Sequence, residues 1–429
     1  MDYSSESLSI ACLWVCKLEE ALLSGSPTVF ARQKMFKYMG LERLEGLVAG
    51  LFAPLGVESA GVAEALYRVL AEDVVSPKDL PEFSVSHVDG FALSECDSRV
   101  FKVVSSEVLD RCEAAPVETG YPVPEGAVAV VPVESVRFLE GGELVVPRSY
   151  ERFHEIVKKG SDVSRGEILC EKGWVLTPPL ARALLELGIE EVKVYMRPRA
   201  LVVPIGSEFT EEVKRESSSV LIKAMCQAVG ALVEVSKPVD DSVEAVKKAV
   251  EKGVDMYDVV ATIGGASLGS KDFTLSALLE LPSSALVVRG LAIQPGRVTS
   301  LATVRGKPVI LLPGLVQSTV VGAIFLLQPL IKRLQGARPR AHYPIGLYRL
   351  ASDYSYTGRF TSFKRLRFVK LISEELLEVD VIETPSPVQK TIVTSHGFII
   401  LESGVTSLSK GSYVTVYRAP GLYAEAPLT

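Results

Sequence analysis

The stretch Val259–Thr274, VVATIGGASLGSKDFT, combines the patterns of a strand, a turn and the start of a helix. Its apolar, β-branched beginning, Val259–Ile263, predicts a buried strand. Gly264-Gly265 end this strand before the helix-like run Phe273–Leu281. Two adjacent glycines tolerate positive φ and let a ligand approach the main chain closely. The stretch therefore predicts an α/β fold with a glycine turn at the end of a central strand.

The polar residues of this turn suggest two roles. Ser267, Gly269 and Ser270 offer N–H groups and hydroxyls to an anion. Asp272, at the entry of the predicted helix, can cap that helix or hold a divalent cation. An ordinary α/β turn with Asp272 as its N-cap explains the same residues, so both interpretations stay open at this point.

Strand and helix patterns alternate from Val192 to Leu334. Repeated units of this length predict a parallel or mostly parallel sheet with helices on both faces, a doubly wound α/β domain. Ligands of such sheets bind at the carboxyl ends of the strands. Four predicted strand ends carry polar or glycine-rich loops: Gly206 to Glu208, Pro238 to Asp241, Gly264 to Asp272, and Pro313-Gly314.

The rest of the chain predicts further domains, since 429 residues exceed one hydrophobic core. Helical spacing is expected from Met35 to Leu70, β-like runs with glycine turns follow, and a proline-bearing linker at 336–344 precedes short strands. We expect an N-terminal extension (1–34), a helix-bearing linker domain (35–99 and 156–192), an inserted small β domain (100–155), the doubly wound domain (193–338) and a C-terminal β-barrel-like domain (339–429). Residues 1–34 are either a helical extension or sequence upstream of a start at Met35.

Composition excludes several classes of function. The net charge of −6 argues against a nucleic-acid partner, and an anionic ligand would need a local site. The apolar segment Leu8–Val15 is short and has acidic flanks, so we expect neither a signal peptide nor a membrane span. Six cysteines without CxxC pairs predict no disulfide framework and no structural zinc, which favours a reducing cytoplasm.

Eight segments together resemble the molybdopterin molybdenumtransferase family, from about Met35 to Pro420. They are ALYRVLAEDVVSP, FSVSHVDGFAL, VETGYPVPEGAVAVVPVE, IVKKGSDVSRGEIL, LGIEEVKVYMRPRALVVPIGSE, GGASLGSKD, AIQPGRVTSLATVRGKPVILLPG and GSYVTVY. The resemblance implies an elongated four-part subunit whose doubly wound domain is of the molybdopterin-binding type. It also implies a homodimer, with the active-site cleft lined by both subunits.

The resemblance implies a reaction as well. The family inserts molybdenum or tungsten, supplied as molybdate or tungstate, into adenylylated molybdopterin and releases AMP, in the biosynthesis of molybdenum cofactor. Other proteins of that biosynthesis are implied as possible partners. A divalent cation, Mg²⁺, would hold the pyrophosphate-like link of the substrate. By position, Glu208, Asp240 and Asp272 would be the catalytic carboxylates that bind this cation.

Further site residues follow from the same resemblance. Asp89, a fourth catalytic carboxylate, would lie with Thr119 and Asp162 on the facing wall of the cleft. The substrate would also contact glycine-rich loops and one cation, namely Gly264, Gly265, Ser267, Gly269, Arg297, Pro313 and Gly314. Plain alternatives stay open: Asp89-Gly90 can form a β-turn, Glu208 and Asp240 can be caps, and Thr119 and Asp162 can be turn residues.

The chain departs from the family's motifs at several positions. TGDE is replaced by Ile205, Gly206, Ser207 and Glu208, and DSN by Glu216, Ser217 and Ser218. Two lysines of KLAIKPGKP become Gly290 and Gln294, and PGNP becomes Pro313, Gly314, Leu315 and Val316. Either Arg289, Arg297 and Lys271 take over the lost charge, or the substrate differs. The alternative hypothesis is a diverged, non-catalytic paralogue that binds pterin, metal-pterin or a partner protein.

Overall fold

A computed structural model describes residues 38–265, 273–356, 358, 360–373, 376–382 and 390–423. The described residues form two compact units. Ser59–Val194 is one unit, and the described residues before Ser59 and after Val194 together form the other. The predicted positions Ser267, Gly269 and Asp272 lie outside the described residues.

The helices are α1 (Leu41–Leu51), α2 (Pro178–Glu186), α3 (Ser207–Thr210), α4 (Ser218–Gln227), α5 (Val243–Met256), α6 (Phe273–Leu279), α7 (Val316–Gly322), α8 (Gln328–Leu334) and α9 (Lys390–Thr394). A π-helical segment, Ala323–Leu327, joins α7 to α8, and Val133–Ser135 forms a 3₁₀ turn. Among the described residues, none of the helices has both the length and the apolar character needed to cross a bilayer.

The strands before residue 196 are β1 (Val57–Gly61), β2 (Val74–Val75), β3 (Val85–Ser86), β4 (Gly90–Leu93), β5 (Val100–Val103), β6 (Glu113–Val117), β7 (Ala129–Pro132), β8 (Arg137–Phe138), β9 (Leu144–Val145), β10 (Ile156–Val157), β11 (Ile168–Cys170) and β12 (Glu191–Tyr195). The later strands are β13 (Arg199–Pro204), β14 (Leu232–Val235), β15 (Val259–Ile263), β16 (Ser284–Arg289), β17 (Ile293–Gln294), β18 (Ser300–Val304), β19 (Lys307–Leu312), β20 (Tyr343–Leu350), β21 (Tyr354–Ser355), β22 (Thr361–Ser373), β23 (Leu376–Ile382), β24 (Gly397–Leu401), β25 (Ser407–Leu408) and β26 (Tyr413–Arg418).

The α/β sheet has the order β14-β13-β15-β19-β18-β16. The first four strands are parallel, whereas β18 and β16 are antiparallel to their neighbours. A two-residue turn, Arg305-Gly306, joins β18 to β19, and both residues have positive φ, which suits a tight hairpin. The expected mostly parallel sheet is therefore a mixed sheet.

Both faces of this sheet are covered, as a doubly wound sheet requires. Val202 of β13 packs into one hydrophobic cluster with α4 and α8, while its neighbours Leu201 and Val203 pack into another with α5 and α6. All five residues of Val259–Ile263 are buried, which confirms the central strand predicted from the sequence. Because β14, β13, β15 and β19 are parallel, their carboxyl ends lie at one edge of the sheet.

The C-terminal strands form a closed ring. β22 pairs with β23, β23 with β20, β20 with β26, β26 with β24, and β24 again with β22. Leu366, Val379, Ile399 and Val416 fill its interior. Phe363 and Phe398 face the other way and share a core with helices α7 and α8 of the same unit. This closed ring of strands agrees with the β-barrel-like domain expected at the C-terminus.

The unit Ser59–Val194 contains a six-stranded sheet with the order β7-β4-β6-β5-β9-β8. β4 belongs to this sheet although it precedes residue 100, where we expected the inserted β domain to begin. Helix α2 agrees with its prediction: Thr177 occupies the N-cap, Pro178 the first helical position, and Gly188 follows the helix with φ 79°.

Two expectations are wrong. Helix does not continue from Met35 to Leu70: within the described part, α1 ends at Leu51, because Pro54 and Gly56 follow and Val57–Gly61 is a strand. The cysteine pattern also led us to expect no disulfide framework, yet Cys96 and Cys112 form a disulfide with Cα atoms 4.7 Å apart. Antiparallel pairing of β4 with β6 brings these cysteines together, and it removes the cysteine-based argument for a reducing compartment.

Candidate active site

Main-chain hydrogen bonds tie the strand-end loops of the α/β sheet together. Ile205 N donates to Ile263 O at 2.8 Å, and Gly206 N donates to Val239 O at 2.9 Å. Gly264 N donates to Leu312 O at 3.1 Å, which adds the end of β19. We call this edge, formed by residues 205–210, 238–241, 264–265 and 313–316, the rim. It brings together loops that are far apart in the sequence, as the alternation of strands and helices predicts.

Glycine is required at the centre of the rim. Gly264 and Gly265 have φ of 93° and 63°, a region that disfavours residues with a side chain. A Cβ on Gly264 would lie 2.4 Å from Ile205 O, and a Cβ on Gly265 would lie 2.4 Å from Thr274 Oγ1. The rim therefore presents bare main chain at this point, as a site that admits a ligand close to the backbone needs.

Glu208 and Asp240 are both exposed at the rim. Thr210 donates its hydroxyl to Asp240, and Ser207 N donates to Asp241 Oδ2 at 3.4 Å, while Asp241 N donates to Ser207 Oγ at 3.2 Å. These bonds hold the two carboxylate-bearing loops side by side. Oxygen donors of this kind suit Mg²⁺, which commonly uses one or two protein carboxylates. Among the described residues, which lack Asp272, no three potential metal-binding side chains cluster.

Gly290 and Gln294, where the family has lysines, differ in the space that they leave for a long side chain. Gly290 has φ 85°, and a Cβ there would lie 2.5 Å from Arg297 O, so the local backbone excludes a lysine. Gln294, in contrast, is exposed and precedes the cis-proline Pro295. Arg297 places its guanidinium 5.3 Å from the ring centre of Phe360. Of these positions, only Gln294 has room for a longer cation.

A buried arginine lies in the same unit, between the barrel and the α/β domain. Arg365 of β22 is 3% exposed, and its Nη1 lies 3.4 Å from Ser395 Oγ and 3.5 Å from Tyr423 Oη. Its Nε and Nη2 are buried without a hydrogen-bond partner in the described part of the chain. Burial lowers the pKa of Arg365 and raises the pKa of Tyr423. Within the part of the chain that the structure describes, the guanidinium therefore has free donors and no carboxylate beside it.

Two connections link the surroundings of Arg365 to segments between residues 290 and 322. Gln294 pairs with Ser362 of the same strand, three residues before Arg365. On the other side, Gln317 Nε2 donates to Thr391 Oγ1 at 2.9 Å, and both side chains are buried. Thr391 lies one helical turn before Ser395, and Gln317 directly follows the rim loop 313–316. The cluster of Arg365, Ser395 and Tyr423, called here the arginine site, is thus anchored to the rim.

Sequence reasoning did not identify the arginine site. RLRFVKL, 365–371, has basic residues at several positions, and strand alternation alone does not reveal which of them is buried. A weak signal existed, since Arg365 occupies the same strand face as Phe363, a position typical of an apolar side chain.

Asp89, Thr119 and Asp162 belong to the other unit, Ser59–Val194. Asp89 Oδ1 accepts from Thr119 N at 2.7 Å and from Thr119 Oγ1 at 2.8 Å. These two bonds lower the pKa of Asp89, the main-chain bond contributing most. The contact joins residues that are 30 positions apart, so Asp89 does more than close a local turn. Asp162 is exposed, and its N–H donates to Leu80 O at 3.0 Å.

Comparison with known proteins agrees with this architecture. A family model described as the MoeA N-terminal region (domains I and II) matches residues 41–188, and a probable molybdopterin binding domain matches 201–333. A protein of Staphylococcus aureus strain MSSA476, named molybdopterin molybdenumtransferase, is 29% identical over 72% of this chain and 78% of its own length. One of the same name from Staphylococcus epidermidis ATCC 12228 is 28% identical over 82% and 89%.

The fold comparison points the same way. The crystal structure of a molybdopterin biosynthesis MoeA protein from Pyrococcus horikoshii superposes with a TM-score of 0.71 at 28% identity, covering 89% of this chain and 99% of the other. The two matched models lie in the order MoeA N-terminal region, then molybdopterin binding domain, and together span more than half of the sequence. By these matches, this chain belongs to the molybdopterin molybdenumtransferase (MoeA) family of transferases.

Proposed function

We propose that this protein inserts molybdenum or tungsten, taken from molybdate or tungstate, into adenylylated molybdopterin and releases AMP. The observation that carries the proposal is the arginine site, in which Arg365 is buried, lacks an anionic partner among the described residues and keeps two donor groups free. Burying an unpaired charge is costly unless an opposite charge compensates for it.

A tetrahedral oxyanion suits this cluster. Arg365 can donate from Nε and Nη2 to two oxygens of one anion, the bidentate pattern that guanidinium groups favour. The hydroxyls of Ser395 and Tyr423 lie beside Nη1 and can donate to further oxygens. Gln317 and Thr391 fix the helix that precedes Ser395, so they position this hydroxyl relative to the rim.

The rim is the proposed place of the pterin and of the phosphate link. Gly264 and Gly265 would let the substrate approach the main chain, because neither carries a side chain. Ser267, Gly269, Pro313 and Gly314 are proposed as further contacts, with Arg297 as the cation. Glu208, Asp240 and Asp272 are the residues that would hold Mg²⁺. When bound, this ion supplies positive charge against the charge that develops on the phosphate.

Asp89, Thr119 and Asp162 are proposed as the second wall of the cleft, with Asp89 as the carboxylate that its Thr119 bonds keep ionised. A homodimer, contacts with other proteins of the same biosynthesis, a cytoplasmic location and the four-part division of residues 35–429 after an extension at 1–34 remain parts of this proposal. Size-exclusion chromatography with light scattering tests the dimer, since a monomer at micromolar concentration would contradict it.

Release of AMP from adenylylated molybdopterin tests the function. The purified protein is expected to release AMP only when Mg²⁺ and either molybdate or tungstate are present, and the oxyanion that gives the faster release is the preferred metal source. Glu208→Gln and Asp240→Asn are expected to raise the Mg²⁺ requirement, because each removes an ionised donor. Absence of AMP release with both oxyanions would reject the proposal.

The second candidate function is a non-catalytic paralogue that binds a pterin or metal-pterin. The observation that favours it is the absence of side-chain charge at Gly290 and Gln294. Calorimetry that shows pterin binding by a protein without turnover would support this function, and oxyanion-dependent AMP release would exclude it.

A further inference from the structure

A second cleft lies in the unit Ser59–Val194, with a volume of about 320 Å³. This volume is at the lower end of the range of small-molecule sites. Its walls come from the segment before β3, from the segment 122–127 and from the segment 153–159. The residues that matter for recognition are Phe83, Phe153, Pro122, Pro124, Glu125 and Lys159.

The walls are held together by hydrogen bonds at Ser84. Its carbonyl accepts from Val123 N at 2.9 Å, and its hydroxyl accepts from Lys159 N at 3.1 Å. β3 and β10 add antiparallel pairing, with Ile156 opposite Ser86. The cleft is therefore a formed feature of the fold, built where three segments of the chain meet.

The exposed groups around this cleft include aromatic rings and cations, together with the Glu125 carboxylate. Phe83 is 58% exposed and Phe153 is 38% exposed, although both side chains are large and apolar. Lys158 Nζ lies 3.9 Å from the centre of the Phe153 ring, and the guanidinium of Arg152 lies 5.4 Å from it. Lys159 lies 3.6 Å from Asp79 and is more than half exposed. A protein with a net charge of −6 thus carries a local positive group beside two exposed rings.

This combination matches one class of ligand, a purine mononucleotide. The aromatic rings of Phe83 and Phe153 provide stacking surface for a heterocycle, and Pro122 and Pro124 add apolar contact area. Lys158 and Lys159 provide charge for a phosphate, and the Glu125 carboxylate can accept a hydrogen bond from an exocyclic ring amine.

The cleft also lies close to Asp89 and Thr119. Gly120 N donates to Ser86 O at 2.8 Å, and Ser86 N donates to Tyr121 O at 3.0 Å, so the Thr119 loop and the cleft share the segment from Ser84 to Ser86. Two residues of extended chain span about 7 Å. A substrate held at Asp89 and Thr119 can therefore reach the cleft with a group the size of a nucleotide.

We propose that the cleft between Phe83 and Phe153 binds the adenylyl group of the substrate, and afterwards the AMP that is released. This inference rests on the proposed function and assigns the part of the substrate that the rim and the arginine site do not explain. The adenine ring stacks on Phe83 and Phe153, and its phosphate contacts Lys158 and Lys159.

Calorimetric titration of the whole protein with AMP is the test, with ribose 5-phosphate as the probe that lacks the ring. We expect AMP to bind and ribose 5-phosphate to bind far more weakly. Phe83→Ala is expected to weaken AMP binding at least about tenfold, since it removes a stacking surface, whereas Phe83→Tyr keeps the ring and the affinity. Phe138→Ala is the matched control, because Phe138 is 56% exposed in the same unit but does not line the cleft.

Measurement of KM for adenylylated molybdopterin separates this inference from the proposed function. Phe83→Ala is expected to raise KM for adenylylated molybdopterin while Phe138→Ala leaves it unchanged. Equal AMP affinity in the wild type and Phe83→Ala, or an unchanged KM in Phe83→Ala, would overturn the assignment. If no variant turns over, the AMP titration alone decides, because equilibrium binding requires no reaction.

Discussion

Arg365 and Ser395 meet in a buried contact of 3.4 Å between Nη1 and Oγ, while two other guanidinium nitrogens stay unpaired among the described residues. Such an arrangement costs stability unless an anion enters, and the proposed oxyanion substrate supplies one. Stability and activity should therefore respond in opposite directions when this charge is removed.

The variant Arg365→Met tests whether stability and activity respond in opposite directions. We expect the free energy of unfolding without oxyanion to be unchanged or to rise by about 1–4 kcal/mol, because an apolar side chain replaces an uncompensated buried charge. Oxyanion-dependent AMP release should fall by about 100-fold or more. Arg367→Met is the matched control, since Arg367 is exposed on the same strand and lies 3.9 Å from Asp380. A large loss of stability in Arg365→Met, without loss of activity, would assign Arg365 a structural role.

Gly290→Lys and Gln294→Lys should behave differently, although both introduce a cation that the family's motif contains. Gly290→Lys should destabilise the protein by roughly 1–3 kcal/mol, because a side chain at φ 85° collides with Arg297 O. Gln294→Lys should leave stability within about 0.5 kcal/mol, because Gln294 is exposed. It should also lower the KM for the oxyanion. Chemical denaturation and AMP-release kinetics check both variants; equal stability losses would refute the backbone argument.

Thr119 should control the ionisation of Asp89. In the wild type, an NMR titration of the Asp89 carboxyl is expected to give a pKa below 3.8, since Thr119 donates two hydrogen bonds to the ionised form. Thr119→Val removes the hydroxyl donor and keeps the main-chain donor, so the pKa should rise part of the way back. An unchanged pKa would mean that the side-chain bond does not form in solution.

His342 should make stability depend on pH. Its Nδ1 has no partner among the described residues, and its ring lies 5.1 Å from that of Phe325. Burial, assisted by Arg340 and opposed by Glu45, lowers its pKa from 6.5 to about 4. Between these two values mainly the unfolded chain binds the proton, so stability falls as the pH decreases, by roughly 3 kcal/mol in total.

The matched variant for this effect is His342→Phe. Urea denaturation at about pH 7 and about pH 4.5 should show a smaller acid-induced loss of stability in the variant than in the wild type, because one titrating group is gone. The same loss in both proteins would assign the acid sensitivity to other groups.

The disulfide between Cys96 and Cys112 should stabilise the unit Ser59–Val194. It closes a loop with a sequence separation of 16, for which chain entropy suggests about 3 kcal/mol. Reductant should lower the denaturation midpoint of the wild type but not that of the double variant Cys96→Ala, Cys112→Ala. Cys170 and Cys226 are buried and unpaired, so their thiols do not explain a reductant effect. A midpoint that does not respond to reductant would exclude the cross-link in the folded protein.

The sequence predicted those features that depend on local pattern. Val259–Ile263 is a buried strand because β-branched residues fill it, and Gly264-Gly265 end it because the turn needs positive φ. Where burial depends on distant segments, the pattern was insufficient. Arg365 faces a core shared with helices α7 and α8, and Cys96 meets Cys112 only through the pairing of β4 with β6.

Helix prediction before residue 70 failed for a related reason. Apolar residues such as Val62, Ala65 and Leu70 recur at helical spacing, yet they lie in turns and bridges and pack against Leu176 and Leu184 of the same unit. The spacing of apolar residues indicates which residues are buried, but it does not determine the backbone conformation. That conformation depends on the segments against which these residues pack. The rim was predictable because strand ends of parallel sheets converge, whereas the arginine site required the position of the barrel.

The central claim is that metal from an oxyanion ends on the pterin in step with AMP release. Its most direct test measures AMP and pterin-bound molybdenum in the same reaction, by chromatography and elemental analysis of the isolated pterin. The account predicts equimolar AMP and pterin-bound metal from the wild type and neither from Arg365→Met. AMP release without metal on the pterin, or metal insertion that is unaffected in Arg365→Met, would contradict it.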